Sequence, residues 1–256
     1  MHPILFKIGP LEIPTYGVIL VTAFLLATFL IRREASRMGL PVQKLQDLAL
    51  SVLIMGLVGA KMLLILLDLP YYIKNPDELL HTIRSAGVLY GGVILGLATA
   101  IFLIRKHRLP IWDTLDLFAP LMAMGIGIGR LGCFFAGCCY GMPYSGPLAI
   151  VFSEHEYCEA PAGVELFPVQ LLAVLNGLII FGFLFWLLRR RKFQGQIVGL
   201  FLLIYGFARF CLEFLRGDTH RGIWFDGLMS TSQIIAAIMM VGALALLAIQ
   251  RKRGKK

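Results

Sequence analysis

Charge is scarce in this chain: Asp, Glu, Lys and Arg make up 15% of its 256 residues, while 58% are hydrophobic. Soluble domains carry about 25% charged residues, so a water-facing surface of ordinary extent is excluded. No internal repeat is visible, which removes the usual signature of a transporter built from two alternating halves. The five cysteines, Cys133, Cys138, Cys139, Cys158 and Cys211, include no C-x2-C pair, the spacing most typical of a structural zinc site. The amino end, MHPILFKIGPLEIPTYG, lacks the charged start and small-residue cleavage site of a secretory signal, and is expected to stay attached.

What the chain does have is apolar length. Mean hydropathy is +0.80, and seven stretches approach the ~20 residues that cross a hydrocarbon core of roughly 30 Å. They run near 14–31, 46–69, 87–104, 115–137, 168–188, 196–215 and 228–249, with a longer outer loop over 138–167. The runs are too long and unbroken for barrel strands, and backbone in lipid must satisfy its own hydrogen bonds. The expectation is an all-α, polytopic protein forming one membrane domain over 1–256.

Basic residues fall in alternate loops. Sixteen lie on one side, among them Arg32, Arg33, Arg37, Arg105, Arg189 to Lys192 and the RKRGKK tail; five lie on the other, Lys7, Lys74, Arg84, Arg216 and Arg221. Positively charged loops stay in the cytoplasm, which predicts an outside N-terminus and a cytoplasmic C-terminus. The net charge of +9 is then a matter of topology and calls for no nucleic acid.

Three cations belong to no loop: Lys61, Arg130 and Arg209. Each lies 14 or 15 residues into its span, which at 1.5 Å per residue places all three roughly 21–23 Å from the inner surface, in the outer half of the membrane. A charge at that depth normally faces a cavity or a partner. Lys61 also has the reach to snorkel toward the outer interface. Two guanidinium forks at one depth suit a phosphate-like anion. Tyr205, Arg209 and Glu213 share one helix face at i, i+4 and i+8, so Glu213 is placed to orient Arg209. Around Arg130 the stretch GIGIGRLG matches a dinucleotide-binding string in form only, because no strand precedes it. Gly129 and Gly132 are instead expected to allow close helix packing or the approach of a lipid headgroup. Tyr16 and Tyr90 open the first and third spans, where interfacial tyrosines are ordinary anchors.

With these residues in view, GRLGCFFAGCCYG resembles the signature of the prolipoprotein diacylglyceryl transferase family, GRxGNFxNxE with a glycine a few residues on. The similarity extends through IGPLEIPTYG, GLVGAKM, LYGGVILG, LFPVQLL and YGFARFCLEFLRGD. The resemblance implies transfer of a diacylglyceryl group from phosphatidylglycerol to the cysteine thiol of a lipobox, the motif in preprolipoprotein signal peptides. A thioether forms and glycerol phosphate leaves, in the bacterial inner membrane and without metal or cofactor. It assigns Arg130, Arg209 and Glu213 to the family's functional positions, Gly141 to its closing glycine, and Tyr16, Tyr205, Lys61 and Gln170 to the surroundings of the headgroup. Lys61 stands where the family commonly has arginine, and three further departures matter: Tyr90 stands where many members have histidine, Cys133 replaces the first signature asparagine and Cys138 the signature glutamate. With the histidine absent, Tyr90 is the candidate for activating the acceptor thiol.

The thiols allow other readings. A disulfide between Cys158 and Cys138 or Cys139 would tie the outer loop to the fourth span in an oxidising compartment. A zinc site drawn from Cys133, Cys138, Cys139, His155 and Cys158, and a thiol oxidoreductase using Cys138 and Cys139, are rivals. The oxidoreductase gives Arg130, Arg209 and Glu213 no task. A lipid-binding protein without catalysis, or a diverged transferase with another acceptor or no activity, are further alternatives.

Overall fold

The computed structural model describes residues 4–8, 11–77, 79, 87–155, 158–218, 223–224 and 229–254. Among them run eight helices: α1 Thr15–Arg37, α2 Val42–Leu67, α3 Leu69–Lys74, α4 Leu89–Lys106, α5 Ile111–Ala136, α6 Val169–Leu188, α7 Gln196–Glu213 and α8 Thr231–Arg253. All but α3 are long and apolar enough to cross a membrane, giving seven spans. Several run past their apolar core. α1 continues to Arg37 because arginine and glutamate are good helix formers, and Glu34 there accepts a hydrogen bond from Arg37 at 2.7 Å. α2 stops at Leu67, just short of Pro70, whose ring cannot follow helical backbone without breaking its hydrogen bonds.

Three small antiparallel ribbons join the helices: β1 Ile4–Ile8 with β2 Leu11–Pro14, β3 Ile150–Val151 with β4 Glu165–Leu166, and β5 Ile223–Trp224 with β6 Met229–Ser230. Strands this short carry little periodicity, and none is visible in the sequence as such. β3 and β4 close the loop after α5, where Phe152, Ala160 and Leu166 form a buried apolar cluster flanked by Cys158.

Within the membrane domain the chain packs as two compact units, residues 1–30 with 115–256, and residues 31–114. Within the second, α2 and α4 lie antiparallel and nearly in backbone contact. A Cβ on Gly59 would fall 2.4 Å from the Gly91 carbonyl oxygen, and one on Gly91 would fall 2.2 Å from that of Gly59. The Val88 N–H, just before α4, donates to Ala60 on α2 at 3.0 Å. Lys61 and Tyr90, each within two residues of this crossing, therefore lie at nearly the same level of the second unit.

In the first unit, Asp116 near the start of α5 is wholly buried. Its carboxylate accepts hydrogen bonds from the backbone N–H groups of Gly195 at 2.8 Å, Ile197 at 3.0 Å and Val198 at 3.0 Å, and from Arg191 at 2.9 Å. A helix start leaves N–H groups without partners and carries partial positive charge. Asp116 answers both at once for α7, with Gly195 in the left-handed region at φ 84° as its N-cap. The bond also sets a common origin. Arg130 lies 14 residues beyond Asp116 (130 − 116) and Arg209 lies 14 beyond Gly195 (209 − 195), so at 1.5 Å per residue both guanidiniums stand about 21 Å along their helices from one junction.

α8 begins with a reciprocal cap. Ser230 Oγ accepts from the Gln233 N–H at 3.2 Å and the Gln233 side chain accepts from the Ser230 N–H at 2.9 Å, a capping box that holds the first turn. Gln233 is thereby committed to its own helix start.

Candidate active site

Arg130 on α5, Tyr205 and Arg209 on α7, Arg216 just past α7, Gln170 and Asn176 on α6, and Cys139 line one cleft of about 460 Å³, part of it open to the surroundings. The cations in it are not equivalent. Arg209 donates to Glu213 with an N–O distance of 2.9 Å, and Glu213 is 3% exposed. Arg216 approaches the same carboxylate at 3.9 Å and hydrogen bonds Asp218 from Nε at 2.9 Å. Arg130 has neither ion-pair nor hydrogen-bond partner among the described residues. Three guanidiniums thus meet two carboxylates, Glu213 and Asp218, which leaves an excess of positive charge centred on Arg130. A half-buried guanidinium without a counter-ion is costly unless an anion completes it.

Arg216 is the residue that sequence reasoning missed here. It follows the end of the apolar run and by charge reads as a loop cation, yet its spacing of three from Glu213 marks it as a continuation of the α7 face. Its position is fixed by main chain: Met142 N–H donates to Leu215 at 3.0 Å and Gly217 N–H to Tyr140 at 3.1 Å. Gly141 lies inside this clasp. A Cβ there would fall 2.2 Å from the Phe167 carbonyl oxygen, so no larger residue fits while the strands stay in place.

Gly132 has a different neighbour. A Cβ on it would meet the ring of Tyr16 at 2.5 Å, so this glycine is the floor on which Tyr16 lies, and Tyr16 in turn feels the charge of Arg130. Gly132→Ala is therefore expected to lower thermal stability by about 1–3 kcal/mol, the usual cost of overpacking. The loss should be largely recovered in the Gly132→Ala, Tyr16→Ala pair, and thermal melts of the three variants in detergent check it. Gly129 differs from the expectation of close packing: nothing approaches its Cβ position within 4 Å. The close crossing of α5 and α6 instead uses Gly127 and Gly177, where a Cβ on Gly177 would fall 2.6 Å from the Gly127 Cα.

Gln170 is 2% exposed. Its Nε2 donates to the Cys138 carbonyl at 3.1 Å, while its Oε1 has no partner among the described residues. A buried acceptor on the cleft wall without a donor suits a ligand hydroxyl. Tyr90 and Lys61 belong to the second unit; Tyr90 is 54% exposed.

The thiols are arranged otherwise than the expected disulfide. All five cysteines are unbridged. Cys158 turns to the carbonyls of Gly137 and Ala160, each 3.8 Å from its sulfur, and apolar packing rather than a covalent tie holds the loop. Cys133, Cys138 and Cys139 gather instead, their sulfurs all within 4.8 Å of one another. The Cys139 thiol is drawn well below the usual cysteine range by hydrogen bonding with Cys133 and Cys138, helped by the charges of Arg130 and Arg216 and opposed by burial.

Comparison with known proteins agrees with this geometry. The family profile described as prolipoprotein diacylglyceryl transferase matches residues 3–249. The chain is 32% identical to the phosphatidylglycerol–prolipoprotein diacylglyceryl transferase of Clostridium tetani, covering 99% of each chain. It is 30% identical to the second such enzyme of Clostridium perfringens over 100% of this chain and 98% of that one. With the Vibrio vulnificus enzyme it shares 32% identity, covering 99% of this chain and 93% of the relative. The arginine-lined cleft and the match from end to end lead to one assignment: the chain belongs to the prolipoprotein diacylglyceryl transferase family.

Proposed function

We propose that this protein transfers the diacylglyceryl group of phosphatidylglycerol to the thiol of a lipobox cysteine in a preprolipoprotein signal peptide. The observation that carries the reading is Arg130, a guanidinium without a counter-ion at the centre of a cleft that also holds Arg209 and Arg216. Arg130 and Arg209 take the lipid phosphate; Glu213 holds Arg209 in place rather than touching substrate. Gln170 Oε1 accepts from a hydroxyl of the glycerol headgroup, and Tyr16 and Tyr205 flank it. In the reaction the acceptor thiol gives up its proton, which ends on the released glycerol phosphate, while sulfur bonds to the glyceryl carbon and the bond from that carbon to the phosphate oxygen breaks. The arginines stabilise the charge that grows on the departing glycerol phosphate, where preorganised donors have their largest effect. The chain sits as a multi-pass protein in the bacterial inner membrane with its N-terminus outside.

The test is direct. Purified protein is incubated with phosphatidylglycerol vesicles and a lipobox peptide, and the peptide is examined by mass spectrometry for the diacylglyceryl thioether alongside assay of released glycerol phosphate. Both products are expected in equal amounts. Phosphatidylglycerol that binds and is recovered unchanged, with the fold intact, would sink the reading in favour of a lipid-binding protein. In the same assay Tyr90→Phe is expected to slow transfer by about 10²-fold, the lower end for loss of a proton-transfer group; undiminished turnover would remove Tyr90 from thiol activation.

A further inference from the structure

The helix end that follows Arg130 is built in a specific way. The Cys138 N–H donates to the Cys133 carbonyl at 3.1 Å and the Gly137 N–H to that of Phe134 at 3.3 Å, with Gly137 in the left-handed region at φ 71°. This is the Schellman ending, whose geometry brings the side chain five residues back against the one just past the glycine. Those two side chains are Cys133 and Cys138. Cys139 then also takes the left-handed conformation, at φ 55°, which for a residue with a Cβ costs about 1 kcal/mol. That backbone brings its sulfur to the other two, so that all three lie within 4.8 Å of one another. A strained residue that completes a cluster points to something the cluster holds.

We propose that Cys133, Cys138 and Cys139 form a binding site for a single thiophilic metal ion of the zinc class. Thiolates bind such an ion at about 2.3 Å, which sets neighbouring sulfurs roughly 3.8 Å apart in a tetrahedron; the cluster reaches that spacing by closing less than about 1 Å on its longest edge. Sulfur ligands select zinc and softer ions over magnesium or calcium. Three thiolates and a divalent ion carry one net negative charge, which the guanidinium of Arg216, acting on Cys139, offsets in part. With three protein ligands the fourth position falls to a water molecule. The bound ion fastens the last turn of α5 to the segment that leads into Gly141, so it acts on the folded state and does not depend on which lipid the cleft accepts.

Full-length protein, reduced and in detergent, is titrated with Cd2+, whose bonds to thiolate give an ultraviolet charge-transfer band, and then with Zn2+ in competition. The band is expected to saturate at one equivalent in wild type and in Cys211→Ser, whose cysteine is exposed on α7 and is not one of the clustered three. Cys133→Ser, Cys138→Ser and Cys139→Ser should each weaken binding by more than the ~10–100-fold that follows loss of a mere supporting group. Zn2+ should raise the melting temperature of wild type and leave that of the Cys139→Ser protein unmoved. A band that persists undiminished in any of the three serine variants, or no band in folded wild type, overturns the proposal. So does protein in which two of the three thiols become alkylatable only after reduction, since the cluster would then be a disulfide.

Discussion

Arg130→Lys is expected to lose about 10²–10³-fold in turnover, or about 2.7–4 kcal/mol of transition-state stabilisation, although the charge is kept. Lysine offers a point charge on a flexible stem, while the guanidinium presents a planar fork that grips two phosphate oxygens at once. The position is sensitive because nothing else in the cleft holds Arg130: Arg209 and Arg216 are both tied to Glu213, and Arg130 alone is left for the ligand. Arg130→Ala should cost at least as much. The check is kcat and KM for the lipid measured separately, with most of the loss in kcat because the charge develops as glycerol phosphate departs. An Arg130→Lys enzyme within about threefold of wild type would mean that charge alone suffices, and the bidentate grip would have to be given up.

Asp116→Asn is expected to destabilise the protein by about 3 kcal/mol while leaving the chemistry of the folded fraction near normal. Breaking a buried ion pair costs about 3–5 kcal/mol. The lower end applies because Arg191 is 22% exposed and can turn its charge to water. An asparagine oxygen can still accept from Ile197 and Val198, but its amide would face the Gly195 N–H and Arg191, donor against donor. Asp116→Ala should be worse, leaving all three backbone N–H groups unpaired at about 1–3 kcal/mol each. Denaturant or thermal unfolding in detergent, with turnover expressed per folded molecule, separates this positioning role from a role in the reaction. A variant as stable as wild type but inactive would overturn it.

The seven spans were legible because hydrocarbon thickness fixes a minimum apolar length, and the shared depth of Arg130 and Arg209 because helical rise is constant. Helix ends were less so: Arg32 to Arg37 reads as loop by charge, yet continues α1 because propensity and the Glu34 pair favour helix beyond the lipid. What the sequence could not display is contact between distant segments. Asp116 looks like an ordinary first-turn acid, and only the fold brings it to residues 191–198. Gly129 and Gly132 are three apart in one motif and indistinguishable by composition, yet one has open space and the other a tyrosine ring. An oxidising compartment favours a bridge to Cys158, yet the cysteines stay free. The decisive features were the turn at Gly137 and the backbone of Cys139, and neither has a signature that a spacing rule captures.

The partners of Asp116 lie 75 to 82 positions further along the chain, and this has a meaning for how the protein is made. At about 5–20 residues per second, α5, which ends at Ala136, is complete roughly 3–12 s before the N–H groups of Gly195, Ile197 and Val198 exist. Through that interval Asp116 is without these partners, and Arg209 does not yet exist to stand beside Arg130. Order of synthesis thus makes the arginine-lined cleft one of the last parts of the first unit to assemble. A ribosome that stops short of Val198 leaves spans threaded through the membrane, but no Arg209 to pair with Arg130 across the cleft.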